Sequence, residues 1–212
     1  MTERFAIYFA PRRGSALSAR AEAWLAQPHL QALTVSARKY GFHATLKAPM
    51  ALKASTNADQ LAAALAAFAR SHAPVGMGRL EAGLIDGFLA LTPVVQSQEL
   101  IDFAAEVTTA FDGFRAPPGA KDRARRLQAP LTDRQIELLD RYGYPYVLEE
   151  FQLHMTLTDR LPAERRDELV GAARDWFAAE LALPIRLDRL MLFHEPEPGA
   201  AFRRLDDYVL ER

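Results

Sequence analysis

Two short segments of this chain repeat a histidine that is followed two residues later by a threonine. The first segment reads Phe-His-Ala-Thr-Leu from Phe42, and the second reads Leu-His-Met-Thr-Leu from Leu153. In both segments polar residues alternate with apolar ones, which is typical of a β-strand with one buried face and one polar face. The side chains expected on the polar faces are His43, Thr45 and Lys47 in the first strand and His154, Thr156 and Thr158 in the second.

These side chains suit the cleavage of a phosphodiester. The reaction needs a base for the attacking hydroxyl or water and an acid for the departing oxygen. Imidazole serves in both roles because its ordinary pKa is about 6.5. Threonine hydroxyls can donate to the non-bridging oxygens, and Lys47 would add a positive charge. If the fold brings the two strands together, they form an anion site that needs no metal and no other cofactor.

Two alternatives to catalysis follow from the same residues. A zinc site would need a third ligand, and neither strand carries a carboxylate on the face of its histidine. A protein that only binds nucleotides or phosphosugars would need no acid–base pair. A single histidine on a strand is more often structural, but two matched copies favour a catalytic pair, and we predict no metal site.

Further candidate binding residues flank the two strands. Arg38 and Tyr40 precede the first strand, and Tyr144 and Tyr146 precede the second, so these side chains could line the mouth of the site. Residues 115–130 contain Pro-Pro-Gly and several basic residues, which indicates a loop and a candidate lid. The arginines of this loop that could clamp a second phosphate or a nucleic-acid backbone are Arg123, Arg125 and Arg126.

Composition narrows the class of protein. The chain has 212 residues, half of them hydrophobic, and a net charge of −1, which argues against broad adhesion to nucleic acid or to a membrane. It has no cysteine, which excludes disulfides and thiolate catalysis. Its apolar runs are too short for a signal peptide or a membrane span. We expect a cytoplasmic monomer that binds a small phosphorylated substrate and contacts nucleic acid only at RNA ends.

The elements that must position the two strands follow the same order in each half: histidine strand, helix, then two strands. The predicted ranges are 41–48, 59–71, 79–85 and 88–91 in the first half and 150–158, 163–180, 185–193 and 202–210 in the second. We predict an α+β fold of duplicated β-α-β-β units, with two antiparallel-rich sheets facing a central cleft. Residues 1–212 would form a single bilobal domain, with lobe one at about 12–112, lobe two at about 130–200, and the terminal strands completing the sheets.

The paired motifs resemble the HxTx motifs of the two-histidine phosphoesterase superfamily. Residues 38–49, 151–158 and 192–205 resemble its branch associated with phosphonate metabolism, so the resemblance covers essentially the whole chain. It implies a bilobal α+β fold. It also implies roles for individual side chains, with His43 and His154 as acid and base and Thr45 and Thr156 holding the phosphate.

The predicted function is that of a metal-independent hydrolase acting on a small cyclic phosphodiester. Phosphonate breakdown by carbon–phosphorus lyase yields a ribose 1,2-cyclic phosphate, so the resemblance suggests a cyclic ribose phosphate as the substrate. One alternative is a 2′,3′-cyclic phosphodiesterase that acts on RNA ends. The other is a non-catalytic protein that binds nucleotides or phosphosugars.

Overall fold

The computed structural model describes residues 3–212, apart from the side chain of Lys121. The strands are β1 (Arg4–Phe9), β2 (Ala44–Met50), β3 (Val75–Gly78), β4 (Leu80–Ile85), β5 (Phe88–Pro93), β6 (Met155–Arg160), β7 (Ile185–Leu187), β8 (Arg189–Glu195) and β9 (Arg203–Val209). The α-helices are α1 (Ala16–Leu25), α2 (Val35–Tyr40), α3 (Ala58–Ser71), α4 (Gln98–Ala110), α5 (Ala120–Arg126), α6 (Asp133–Tyr142), α7 (Arg166–Trp176) and α8 (Ala178–Leu181). No helix within these residues is long and apolar enough to cross a membrane.

The strands pair in two main antiparallel sheets. The larger sheet has the order β2-β1-β8-β9 and the smaller has the order β4-β5-β6, while β3 and β7 form a separate pair. The predicted α+β class and its antiparallel-rich sheets are therefore confirmed. The two histidine-bearing segments lead into β2 and β6, and each of these strands lies at one edge of its sheet.

Each main sheet takes strands from both halves of the chain. The N-terminal strand β1 pairs with β2 on one side and with β8 on the other, while β6 pairs with β5 of the first half. The sheets therefore do not follow the predicted lobes 12–112 and 130–200. A strand has a hydrogen-bonding edge on each side, and β1 uses both of its edges to join distant parts of the chain. The number of domains stays a prediction.

Helices form in both predicted helical ranges, and three helices begin at side-chain caps. The side chains of Ser15, Asn57 and Thr132 each accept from a backbone N–H in the first turn of α1, α3 and α6. These caps satisfy N–H groups that the start of a helix leaves without partners. The segment 115–130 was predicted as a loop, and this is wrong over Ala120–Arg126, which form α5. The predicted helix 163–180 is divided into α7 and α8, and α2 was not predicted.

Two helices donate side-chain hydrogen bonds to the backbone of the histidine strands β2 and β6. The indole N–H of Trp24 on α1 donates to the Leu157 carbonyl oxygen in β6 at 3.2 Å. The hydroxyl of Thr108 on α4 donates to the Leu46 carbonyl oxygen in β2 at 3.1 Å. The side chains of Leu46 and Leu157 are both buried in the main hydrophobic core. The opposite faces of β2 and β6 are therefore left to line the cleft.

Candidate active site

The two motif histidines occupy matching places, since each lies immediately before an edge strand. The ring Nδ1 of His43 is 2.9 Å from the carbonyl oxygen of Gly41. The Nδ1 of His154 is 2.8 Å from the carbonyl oxygen of Gln152. In both cases the carbonyl belongs to the residue two positions before the histidine. The repeat seen in the sequence thus extends to the hydrogen bonds that orient the rings.

These hydrogen bonds determine which ring nitrogen is available for chemistry. A carbonyl oxygen only accepts, so each Nδ1 carries a hydrogen, and each Nε2 remains to exchange a proton. Nε2 of His43 lies 3.3 Å from the Thr45 hydroxyl, which donates to it when the ring is neutral. Gly41 has a φ of 72°, a backbone conformation that glycine adopts without a steric penalty. The turn at Gly41 presents its carbonyl oxygen to the ring.

His43 lies in an aromatic environment. Its ring stacks on Tyr8, with ring centroids 3.9 Å apart and an interplanar angle of 22°. The rings of Tyr40 and Phe193 lie further out, with centroids 6.4 and 6.2 Å from that of His43. Burial lowers the pKa of His43 to about 4, against a smaller opposing effect of the Gly41 carbonyl and with a further lowering by His154. His43 is therefore neutral at neutral pH.

The two motifs converge on the shared wall of two cavities. One cavity has a volume of about 710 Å³ and the other of about 1020 Å³. The residues that line both are Tyr40, His43, Thr45, His154 and Thr156. The structure thus brings together the histidines and the first threonines of both motifs, with Tyr40 beside them. We call the smaller space the aromatic cavity, after Phe88, Tyr144 and Tyr146 in its wall. We call the larger one the basic cavity, after Arg123, Arg125 and Arg126.

Aromatic side chains border the smaller cavity. Tyr144 and Tyr146 both line it, with their rings in an edge-on arrangement 5.5 Å apart. Phe88 of β5 lies in the same wall. These flat surfaces could pack against the ring of a sugar or a base. The predicted substrate contacts of Tyr40, Tyr144 and Tyr146 stay predictions.

Arg38, which was predicted to line the mouth of the site, lies outside the two cavities. Its guanidinium donates to the carbonyl oxygens of Gln31 at 2.8 Å and of Thr34 at 3.3 Å. The side chain thereby connects the end of α2 to the turn that precedes it, and it lines neither cavity among the residues described for each. The contacts of Arg38 thus support the segment that carries Tyr40 and His43.

Lys47 lies on the opposite side of β2 from Thr45, so the prediction that it faces the cleft is wrong. Thr45 pairs with Tyr8 of β1, whereas Lys47 pairs with the adjacent residue Ile7, so β2 has one extra residue between them. This β-bulge interrupts the alternation of side chains on which the prediction depended. Lys47 is only 2% exposed.

The ammonium of Lys47 is held by the protein. Its Nζ donates to Asp112 Oδ1 at 2.6 Å and to the Thr108 carbonyl oxygen at 3.0 Å. Burial lowers the pKa of Lys47, and the Asp112 carboxylate opposes that effect. Asp112 also accepts from Arg115 at 2.8 Å. Lys47 therefore forms part of a buried ion-pair network that ties β2 to the segment after α4.

Asp112→Ala is expected to lower the free energy of unfolding by about 3–5 kcal/mol, because it leaves the Lys47 ammonium buried without a carboxylate. Lys47→Met should cost less, because it removes the buried charge and leaves Asp112 paired with Arg115. Urea denaturation followed by circular dichroism measures both values. Neither variant should change KM for a phosphorylated substrate. A raised KM in a fully stable Lys47→Met protein would restore Lys47 as a substrate contact.

Thr158 lies in the wall of the aromatic cavity, but its side chain is buried and its hydroxyl is engaged with the backbone, so its predicted contact with the substrate stays a prediction. Its side chain is 0% exposed, and its hydroxyl accepts from the Leu89 N–H at 3.1 Å. The pairing of β5 with β6 is irregular here, because Ala90 faces Thr156 while Phe88 faces Arg160. The Thr158 hydroxyl therefore supplies the acceptor that the irregular ladder does not give to Leu89.

The three arginines predicted to bind phosphate lie on α5 and all line the basic cavity. Arg123 is paired with Asp140 at 2.5 Å, and Arg125 with Asp122 at 3.3 Å. Arg126 differs from both, because its Cζ lies 4.9 Å from the centroid of the Tyr144 ring. The structure thus separates three residues that the sequence had treated alike.

Neither Tyr8 nor Asp159 was predicted to lie at the site. Tyr8 on β1 provides the surface on which His43 stacks, and it reaches the site because β1 pairs with β2, which the pattern of β1 alone does not indicate. Asp159 accepts from the backbone N–H of Ser36 at 2.9 Å and thereby caps α2. This bond joins the strand of the second histidine to the helix that precedes the first, and no local sequence pattern indicates it.

In the part of the chain that the structure describes, no three His, Cys, Asp or Glu side chains lie close enough together to hold a metal ion. Independence from metals stays a prediction, which a chelator can test.

Comparison with known proteins gives a family and curated relatives. Residues 45–203 match the family described as protein of unknown function (DUF1045). Two relatives bear the name ribose 1,5-bisphosphate phosphokinase PhnN, from Janthinobacterium sp. (strain Marseille) and Laribacter hongkongensis (strain HLHK9). They are 35% and 34% identical to this chain, and each match covers 94% of it. The chain spans about half the length of these relatives, 49% and 50% respectively.

Solved structures agree with the predicted fold. The protein TT0787 of Thermus thermophilus superposes with a TM-score of 0.51 at 14% identity, over 98% of this chain and 97% of that one. E. coli LigT complexed with ATP gives a TM-score of 0.50 at 13% identity, over 99% and 98%. At such identities the likeness concerns the fold alone. The fold is that of the LigT-like two-histidine phosphoesterases, as the two motifs had predicted.

Proposed function

This chain belongs to the DUF1045 family, and from its two-histidine phosphoesterase fold we propose that it hydrolyses a small cyclic phosphodiester. His43 and His154 would perform the acid–base chemistry. One observation carries the proposal: both histidines hold Nδ1–H on a backbone carbonyl and keep Nε2 for the shared wall of the two cavities. A protein that only bound phosphate would not need two imidazoles held in the same way.

His43 is the general base in this proposal. A base must be unprotonated, and burial lowers the pKa of His43 to about 4. His154 is then the general acid that delivers a proton to the departing oxygen. The sequence had left these two roles unassigned.

In the proposed reaction, water opens the cyclic phosphodiester at phosphorus. A water molecule takes the place of the Thr45 hydroxyl at His43 Nε2, gives its proton to that nitrogen and forms a new bond from its oxygen to phosphorus. The bond from phosphorus to one ring oxygen breaks, and His154 protonates that oxygen. Thr45, now released, and Thr156 donate to the non-bridging oxygens, where negative charge accumulates. Solvent then returns the proton from His43 to His154.

The names of the curated relatives support a sugar phosphate as the substrate. A ribose 1,5-bisphosphate phosphokinase consumes a ribose that carries a phosphate on C1. Opening a ribose 1,2-cyclic phosphate at the bond between phosphorus and O2 gives a ribose with its phosphate on C1. A cyclic ribose phosphate formed in phosphonate breakdown is therefore the proposed substrate, and the kinase reaction would follow hydrolysis.

The direct test is a ³¹P NMR screen of the purified chain in EDTA. Cyclic ribose phosphates with and without a 5-phosphate and nucleoside 2′,3′-cyclic phosphates form the panel. The expected result is conversion of a ribose 1,2-cyclic phosphate to a phosphomonoester on C1. Faster turnover of the nucleoside substrates would favour RNA ends, and binding without turnover across the panel would favour a non-catalytic role.

The pH dependence follows from the low pKa of His43. The base form of His43 predominates above about pH 4 and is lost as the pH falls through that value. The acid limb of kcat/KM, which reports the free enzyme, should therefore have its midpoint near pH 4 and not near the ordinary imidazole value of about 6.5. Initial rates between about pH 3.5 and pH 7, at constant ionic strength, measure this midpoint. A midpoint at the ordinary value would contradict the assignment of His43 as the buried base.

A further inference from the structure

The wall of the basic cavity carries more positive charge than is needed to bind a cyclic diester, which has a single negative charge. The basic side chains in its wall are Arg4, Lys39, Arg115, Arg123, Arg125 and Arg126, and the carboxylate of Asp122 lies among them. This wall continues directly into His43, Thr45, His154 and Thr156, which line the same cavity. An anion that enters here therefore meets a positively charged surface next to the reacting groups.

Most of these cations already have protein carboxylates as partners. The ion pairs are Arg4 with Glu195, Arg115 with Asp112, Arg123 with Asp140 and Arg125 with Asp122. A cation that is already paired gains less from a second anion, because part of its hydrogen-bonding capacity is occupied. These arginines are therefore weaker candidates for binding a ligand phosphate.

Arg126 and Lys39 differ from the others. Within residues 3–212, leaving aside the side chain of Lys121, neither forms an ion pair with a carboxylate. Each lies over an aromatic ring: the Cζ of Arg126 is 4.9 Å from the centroid of the Tyr144 ring, and the Nζ of Lys39 is 5.6 Å from the centroid of the Tyr40 ring. A ring holds a cation in place without neutralising it.

The environment of Arg126 makes the lack of an anion costly. Its side chain is partly buried, and burial lowers its pKa despite the opposing effect of Tyr144. A partly desolvated guanidinium gains most when an anion accepts its hydrogen bonds, and a phosphate can accept two of them side by side. The contact with the Tyr144 ring restricts the side chain of Arg126, so less conformational entropy is lost on binding.

We propose that Arg126 and Lys39 form a subsite for a second phosphate, a terminal phosphomonoester on the same substrate. The proposal rests on the proposed function, which puts the cyclic diester at His43 and His154. A cyclic diester carries one negative charge, whereas a phosphomonoester carries close to two at neutral pH. The more negative end thus lies at the unpaired cations. The substrate class is a cyclic ribose phosphate that is also phosphorylated at its 5-hydroxyl, and its product is a ribose bisphosphate.

The test compares ribose 1,2-cyclic phosphate with and without the 5-phosphate. In Arg126→Leu, the ratio of kcat/KM for the 5-phosphorylated substrate to that for the other should fall by about 10- to 100-fold, as expected for loss of charge-assisted hydrogen bonds. Lys39→Ala should lower the ratio as well. This second variant keeps the subsite testable even if the Arg126→Leu protein does not fold. Arg123→Leu is the matched control, since Arg123 lies on the same helix but is paired with Asp140.

An unchanged ratio in both Arg126→Leu and Lys39→Ala would overturn the subsite, as would an equal fall in Arg123→Leu. A binding measurement separates this outcome from failure of the proposed function. Ribose 5-phosphate, which has only the terminal phosphate, is titrated into each protein by calorimetry. Weaker binding in the Arg126 and Lys39 variants supports the subsite even if no cyclic phosphate is hydrolysed. Equal affinity in all proteins contradicts it.

Discussion

Replacing either His43 or His154 by alanine is expected to lower kcat by about 10²- to 10⁴-fold, which is the usual contribution of one positioned proton-transfer group. Each variant removes an Nε2 from the wall that the two cavities share, and no other imidazole among the residues lining them can replace it. KM should change much less, because the threonines that would hold the phosphate remain. Initial rates on the substrate identified by ³¹P NMR measure the effect.

The two histidines should behave as one unit. The double alanine variant is expected to be little slower than the slower single variant, since each proton transfer is useful only when the other takes place. The pH profiles should differ: His43→Ala loses the acid limb near pH 4, whereas His154→Ala retains it. His29→Ala is the control, because His29 is exposed and lies outside both cavities. Turnover close to that of the wild type in both active-site variants would exclude the two-histidine mechanism.

Replacing Thr45 or Thr156 by valine is expected to lower kcat by about 10²- to 10³-fold, the loss typical of one donor to a developing negative charge. Valine keeps the branched shape and removes the hydroxyl, so the strand should be little disturbed. Thr45→Val also removes the hydrogen bond that the Thr45 hydroxyl donates to His43 Nε2 in the free protein. Steady-state kinetics of both variants, with melting temperatures to confirm folding, measure the effect.

Thr158→Val is the comparison for these two variants, because Thr158 also lines the aromatic cavity but its hydroxyl is engaged with the backbone. Its hydroxyl is buried and accepts from the Leu89 N–H, so its loss leaves a buried donor without a partner. The expected result is a stability loss of about 1–3 kcal/mol with kcat preserved. The opposite pattern, with kcat lost in Thr158→Val and kept in Thr156→Val, would mean that the phosphate lies further along β6.

Much of the site could be predicted from local patterns. The repeated His-x-Thr-Leu segments indicated two strands with matching polar faces, and the structure brings His43, Thr45, His154 and Thr156 to one wall. The helix caps at Ser15, Asn57 and Thr132 are also local features, because a cap depends on a side chain and a backbone group only three residues apart.

The failures at Lys47 and in the arrangement of the sheets share a physical cause, because each depended on a strand partner distant in the chain. Alternation predicted that Lys47 would lie beside Thr45, but the pairing of β2 with β1 introduces a bulge that turns it into the core. The same pairing of β1 with both β2 and β8 distributes the halves of the chain over both sheets. Bulges and sheet order depend on how two strands meet, which neither strand encodes alone.

By itself, the sequence determined the reacting groups: two histidines and two threonines at a spacing that gives them a common face. The tertiary structure alone decided what each group can do. Burial against Tyr8 lowers the pKa of His43, and carboxylates pair with Arg123 and Arg125 but not with Arg126. Proton affinity and charge depend on solvent exclusion and on neighbours in space, and those neighbours come from every part of the chain.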